Sequence, residues 1–137
     1  MITRVWERLC LGSLKDAERL AFDNSMGITA VISLCPEEVF PQAAGITYVR
    51  VPIADGRPIS TDEFEQIIAT IARHIRRGTV LLMCAAGMSR SPSMAAAWMH
   101  RCGYLNVEAA LEEIARLRPT IDPSPVLLKS IKEALTR

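Results

Sequence analysis

Hydrophobic and polar positions follow two different periods along the chain. Short apolar runs at 4–6, 9–11, 29–34, 46–51 and 79–83 are rich in Val, Ile and Leu and are bounded by Gly, Pro or charged residues. Runs of this length and content predict buried strands. Between them the period lengthens. Phe64, Ile67, Ile68, Ile71 and Ile75 fall at i, i+3, i+4, i+7 and i+11, which is one face of a helix. Ser13 with Asp16, and Ser60 with Glu63, stand in capping-box positions and mark two helix starts. The first helix is predicted from Leu14 to just before Gly27, and the second from Ser60 to Gly78. Further helices are predicted over 92–101, 107–118 and 125–135, punctuated by Gly103, Asn106 and Pro119. Strands alternating with helices across short loops predict an α/β fold. The expected architecture is a mainly parallel central sheet of about five strands, flanked by helices on both faces. The early strand pair is expected to add an antiparallel edge.

Composition narrows the picture. The chain has 137 residues, half of them apolar, which suits one domain over 1–137. Sixteen basic and fifteen acidic residues leave a net charge of +1. That balance argues against nucleic-acid binding by phosphate neutralisation and against a polybasic membrane anchor. No apolar run approaches the roughly 18 residues of a membrane span, and the amino terminus lacks the apolar core of a signal peptide. Cys10, Cys35, Cys84 and Cys102 show no C-x-x-C spacing, and His74 and His100 are isolated. A zinc site of the usual kind is not written here, and reduced thiols in a cytoplasmic protein are expected.

One segment carries chemistry. The apolar strand 79–83 runs into Cys84-Ala85-Ala86-Gly87-Met88-Ser89-Arg90-Ser91-Pro92, where a loop of small residues feeds a helix. Ser91 is expected to cap that helix, with Pro92 at its first position. A loop at a helix N-terminus gathers backbone N–H groups and a positive dipole end, which together cradle an anion. Gly87 permits the backbone turns that aim successive N–H groups inward. A cysteine beside such a loop can fall from ~8.5 to roughly 3.5–7.5 in pKa and act as a thiolate. Arg90 offers a planar fork matched to two phosphate oxygens. Taken alone, a strand-end cysteine is usually a buried, inert thiol. The surrounding strand, glycine, serines and helix start favour phosphoryl transfer to sulfur, with Ser91 placed to stabilise the sulfur when it leaves. Such chemistry wants a general acid on a mobile loop. Asp55 follows a strand among turn residues, whereas Asp62 falls in the first turn of a helix, where carboxylates are common.

These residues resemble the signature loop of the cysteine-dependent protein phosphatases, and specifically the dual-specificity phosphatase family. The resemblance extends along the chain: Leu9-Cys10-Leu11-Gly12-Ser13, then 27–34, then Tyr48-Val49-Arg50-Val51-Pro52-Ile53 with Asp55, then Arg118-Pro119 and Pro123. It implies a phosphocysteine intermediate on Cys84. It also implies phosphate binding by Arg90 and loop residues Ala85, Ala86, Gly87, Met88 and Ser89, and Asp55 as general acid and base, 29 residues before the nucleophile. The implied substrate is a phosphorylated protein bearing phosphotyrosine, with phosphoserine and phosphothreonine also admitted, and no cofactor or metal is implied. The chain is expected to act as a monomer in the cytoplasm.

One departure from the family pattern matters, and one further cysteine has a candidate role. Met83 occupies the place of the histidine that usually precedes the nucleophile. A thioether is only a weak acceptor, so slower turnover or a shift to higher pH is expected. Cys35, at the end of the 29–34 strand, resembles the strand-end cysteine of the phosphatase and tensin homolog, and is a candidate redox partner for Cys84. Packing at a strand end is the alternative for Cys35. Arg57 and Arg118 are expected to be a surface arginine and a helix C-terminal cation. Three other readings stay open: a phosphate-binding pseudophosphatase, a phosphatase for a non-protein phosphate such as a phosphoinositide, and sulfur or arsenate chemistry. The absence of lysine between Cys84 and Arg90 disfavours the phosphoinositide.

Overall fold

The computed structural model describes residues 1–104 and 106–136. Its strands are β1 Thr3–Trp6, β2 Leu9–Gly12, β3 Ile28–Ser33, β4 Thr47–Arg50 and β5 Thr79–Met83. Its helices are α1 Leu14–Arg19, α2 Thr61–Ile75, α3 Arg90–Arg101, α4 Val107–Leu117 and α5 Pro125–Leu135. The strands form one sheet in the order β1-β2-β5-β3-β4. β1 pairs with β2 antiparallel, and every other pairing is parallel. The mainly parallel five-stranded sheet and its antiparallel edge therefore form as the strand–helix alternation implies. β5 lies at the centre, between β2 and β3. The crevice past the carboxyl ends of parallel strands is where ligands bind in open α/β sheets, and the 84–90 loop opens there.

Strand side chains alternate across the sheet, and each face has its own core. Val80, Leu82 and Cys84 share one face with Ala30, Ile32 and Leu34. Leu81 and Met83 share the other with Val31 and Cys35. The first face is covered by α2, α3, α4 and α5 through residues such as Phe64, Met94, Ile114 and Leu127. The second is covered by α1 through Ala17 and Leu20, with Val39 packed beside them. Helices thus lie on both faces, four on one side and a single short one on the other. Among the described residues, no helix is long and apolar enough to cross a membrane.

Both capping boxes form. Ser13 Oγ accepts from Asp16 N while Asp16 accepts from Ser13 N, and Ser60 and Glu63 repeat the exchange. The first helix is shorter than its apolar pattern suggests: α1 ends at Arg19 and does not continue to Gly27. Side chains divert the backbone beyond it. Asn24 Oδ1 accepts from Ile28 N at 2.8 Å, Asn24 Nδ2 donates to Ile28 O at 2.9 Å, and Asp23 Oδ1 accepts from Ser25 N at 3.0 Å. Such local bonds compete with helix continuation, so Gly27 serves the turn into β3.

Candidate active site

The loop between β5 and α3 is held from outside by its carbonyls. Ala85 O accepts from Leu14 N at 3.1 Å, and Met88 O accepts from Asp122 N at 2.7 Å. Gly87 O accepts from Arg118 Nε at 3.1 Å. In a trans peptide the C=O and the following N–H point in opposite directions. With these three carbonyls turned outward, the N–H groups of Ala86, Met88 and Ser89 turn toward the other side. On that side lies a cavity of about 230 Å³ lined by Asp55, Cys84, Ala85, Ala86, Met88, Ser89, Arg90 and Asp122. α3 begins at Arg90, and the N–H groups of Arg90 and Ser91 precede its first backbone bond, Ser93 N to Ser89 O at 3.0 Å, so they belong to the helix end that faces an anion.

Gly87 makes this backbone path available. Its φ is +70°, and a Cβ there would stand 2.7 Å from Arg118 Nη2 and 2.9 Å from the Gly12 backbone. The left-handed conformation alone costs an L-residue about 1–2 kcal/mol. Gly87→Ala is therefore expected to lower the melting temperature and abolish binding of tungstate, a phosphate mimic. Thermal melts with a tungstate titration check this, and wild-type values in both would contradict it.

Cys84 is 2% exposed and closes the cavity floor. Its Sγ lies 3.3 Å from Ser91 Oγ. Ser91 does not cap the helix, as the sequence suggests. Ser89 occupies the N-cap position, without a side-chain cap bond, and Ser91 sits buried in the first turn, where its hydroxyl reaches the sulfur. Ser89 Oγ instead accepts from Ser124 N at 2.9 Å and fastens the loop to the start of α5. Arg90 Nη1 donates to Ile53 O at 3.1 Å. Ile53 N in turn donates to Leu34 O at 3.0 Å. Arg90 thus joins the 84–90 loop to the segment that presents Asp55, an exposed residue lining the same cavity. Asp62 lies in the first turn of α2, and Arg57 is exposed.

Two residues of this region escape the sequence reading. Asp122 puts a second carboxylate at the cavity. Arg118 does occupy the C-cap position of α4, but its guanidinium turns away from the helix and binds Gly87 O. At the helix end the side chain is free to reach a loop 31 residues away. The Arg-Pro turn was the available signal for both residues.

Cys35 and Cys84 project from opposite faces of the sheet, as their positions on adjacent strand ends require. Cys35 Sγ lies 3.6 Å from Met83 Sδ. Met83, fully buried, packs with Cys10, Val31 and Leu81. Burial, and then a hydrogen bond to Glu37, push the Cys35 thiol up to about 11, while Arg90 pulls weakly the other way. Burial likewise raises the Cys10 thiol to about 11 against the attraction of Arg4. The folded state then holds protons that the unfolded chain releases above an ordinary thiol value near 9. This stability is complete below pH ~9 and is lost as pH rises through about 11. Thermal melts from pH 8 to 11 should show that fall, and Cys35→Ala should reduce its steepness. An identical slope in the variant would remove Cys35 as a cause.

Among the described residues, no group of three or more His, Cys, Asp or Glu side chains is placed to hold a metal ion. The comparisons with known proteins agree on one family. Residues 9–137 match the model of the dual specificity phosphatase catalytic domain. Human dual specificity protein phosphatase 15 is 32% identical over 127 residues, covering 91% of this chain and 43% of that protein. Human dual specificity phosphatase 28 is 29% identical over 142 residues, covering 98% of this chain and 79% of that one. The crystal structure of human DUSP28 superposes with a TM-score of 0.85 at 26% identity, covering 99% of this chain and 96% of that chain. The chain spans about half the length of the first curated relatives it matches, 43% and 54% of them. A family model covering nearly the whole sequence, on a sheet and loop of this geometry, places the chain in the dual specificity phosphatase catalytic-domain family.

Proposed function

We propose that this chain hydrolyses phosphate monoesters on proteins through a phosphocysteine intermediate. The observation that carries the reading is the Cys84 sulfur, 3.3 Å from Ser91 Oγ, on the floor of a cavity walled by loop N–H groups, Arg90 and Asp55. The loop N–H groups and the Arg90 fork bind the three non-bridging phosphate oxygens. The Cys84 sulfur anion attacks phosphorus; the S–P bond forms, the ester P–O bond breaks, and Asp55 gives its proton to the leaving oxygen. In the second step Asp55 takes a proton from water, the water oxygen attacks phosphorus, and the S–P bond breaks. The Ser91 hydroxyl then donates to the departing sulfur. Arg90 also steadies the acid segment through Ile53 O, so one side chain serves both phosphate and acid.

The carboxylate of Asp122 at the cavity favours a substrate with one phosphate on a neutral or basic segment. A polyanionic inositol headgroup meets repulsion there, and the loop has no lysine to offset it. Phosphotyrosine should turn over faster than phosphoserine because phenoxide leaves more readily. Met83, which has no strong hydrogen-bonding group beside the nucleophile, favours a second reading of slow turnover or phosphate binding alone. Acid quench during turnover of an aryl phosphate, followed by intact-mass mapping, should reveal a phosphate adduct on Cys84. Neither adduct nor turnover, with tungstate still bound, would establish the binding-only reading. Phosphotyrosine and phosphoserine peptides and a phosphoinositide, assayed side by side, then order the substrates. Cys35 remains the proposed resolving thiol. Its location on the opposite face makes a Cys35–Cys84 disulfide dependent on movement of the strand ends, and peptide mapping after mild peroxide, without reductant, tests for it.

A further inference from the structure

We propose that Arg118 is a positioning residue for the phosphate loop, and that through it the amino-terminal strand helps set the loop's geometry. The inference rests on the phosphatase reading above. Arg118 is 9% exposed, and its guanidinium is divided among three segments. Nε donates to Gly87 O at 3.1 Å; Nη1 donates to Met1 O at 2.6 Å and to Thr3 Oγ1 at 2.8 Å. Nη2 stands 3.9 Å from Asp16 Oδ2. The other two loop carbonyls described above are held by backbone N–H groups of Leu14 and Asp122. The Gly87 carbonyl alone of the three depends on a side chain, and that side chain depends on β1 and α1 for its own place.

The dependence matters because the peptide it holds follows a glycine at φ +70°. Gly87 has no Cβ to bar rotation, so a Gly87–Met88 peptide without its anchor can turn over. Turning over would aim the carbonyl oxygen at the phosphate and withdraw the Met88 N–H. Arg118 does not line the cavity, so its action passes through this peptide and not through contact with substrate. A fork is needed: the donors of lysine sit on a single nitrogen, whereas arginine reaches Gly87 O from Nε and Met1 O and Thr3 Oγ1 from Nη1.

Arg118→Met, Arg118→Lys and the remote core variant Ile71→Val test the assignment at a temperature where all are folded. Ile71 is fully buried in α2 and serves as a control for lost stability alone. Arg118→Met should lower kcat for an aryl phosphate and weaken tungstate binding, each by about 100-fold, the scale of a misplaced reacting group. Arg118→Lys should fall between it and the wild type. Ile71→Val should lower the melting temperature with tungstate affinity unchanged. Wild-type tungstate affinity in Arg118→Met would overturn the proposal, as would equal losses in Ile71→Val. Tungstate titration needs no turnover. A wild type that binds tungstate but hydrolyses nothing therefore defeats the phosphatase reading while the Arg118 comparison still decides this one; a wild type that binds none defeats this one.

Discussion

Cys84→Ser is expected to lower kcat for an aryl phosphate by roughly 10⁴ to 10⁶, the range seen when the nucleophile of a covalent mechanism is removed. Tungstate binding should persist. The substitution exchanges one atom at a position 2% exposed, so the cavity keeps its shape. The loop carbonyls stay bound by Leu14, Arg118 and Asp122, and the N–H cradle survives. Arg90 keeps its bond to Ile53 O. What disappears is an ionisable sulfur, and a neutral hydroxyl is a far weaker attacker. A loss of kcat with binding intact identifies an interaction made only on the way to the transition state. Steady-state turnover with a parallel tungstate titration measures both, and undiminished turnover in the variant would refute the mechanism. Incubation with thiosulfate separates the remaining chemistry: a persulfide on Cys84, formed equally well in Asp55→Asn, would indicate sulfur transfer.

The parts of this architecture visible in the sequence are those set by neighbours within a few residues. The Ser13–Asp16 and Ser60–Glu63 exchanges span three residues, and both form. The spacing of Phe64, Ile67, Ile68 and Ile71 selects one helix face, and that face is buried. The Cys84 loop is legible for the same reason, since strand, glycine and helix start are contiguous. Errors appear where side chains compete locally. Asn24 and Asp23 bond the backbone ahead of Gly27, so the helix stops early although its apolar pattern continues. The start of α3 shifts by two residues because Ser89 is drawn to Ser124 while Ser91 is drawn to the Cys84 sulfur.

Long-range closure accounts for what remains hidden. Asp122 reaches the cavity because its backbone N–H meets Met88 O across 34 positions, which no period announces. Arg118 reads as a helix-end cation until the fold brings β1, α1 and the loop to one point. Cys35 is the reverse case. The alternation of β3 and β5 places Leu34 and Cys84 on one face and Cys35 and Met83 on the other. That parity is written in the sequence, but it becomes informative only once β3 and β5 are known to be neighbours in register, with Ser33 beside Met83.

The two carboxylates at the cavity give the second large effect. Asp55→Asn is expected to lower turnover of a phosphoserine peptide by about 10² to 10⁴, the usual contribution of a positioned general acid. For an aryl phosphate whose phenoxide leaves without help, the loss should be much smaller. The contrast is diagnostic because asparagine keeps the size and polarity of the side chain and removes only the proton it can deliver. Asp122 shares the cavity and is the obvious competitor. The two differ in how they are held. Asp55 follows Ile53, whose carbonyl accepts from Arg90, so its segment is fixed relative to the 84–90 loop. Asp122 is tied by its backbone to Met88, on the 84–90 loop itself. Asp122→Asn should therefore change peptide preference, weakening discrimination in favour of basic flanking residues, with little dependence on the leaving group. Rates for both variants across aryl and alkyl phosphates decide the assignment. A leaving-group dependence that follows Asp122 and not Asp55 would exchange their roles, and would place the proton donor on the α4–α5 turn.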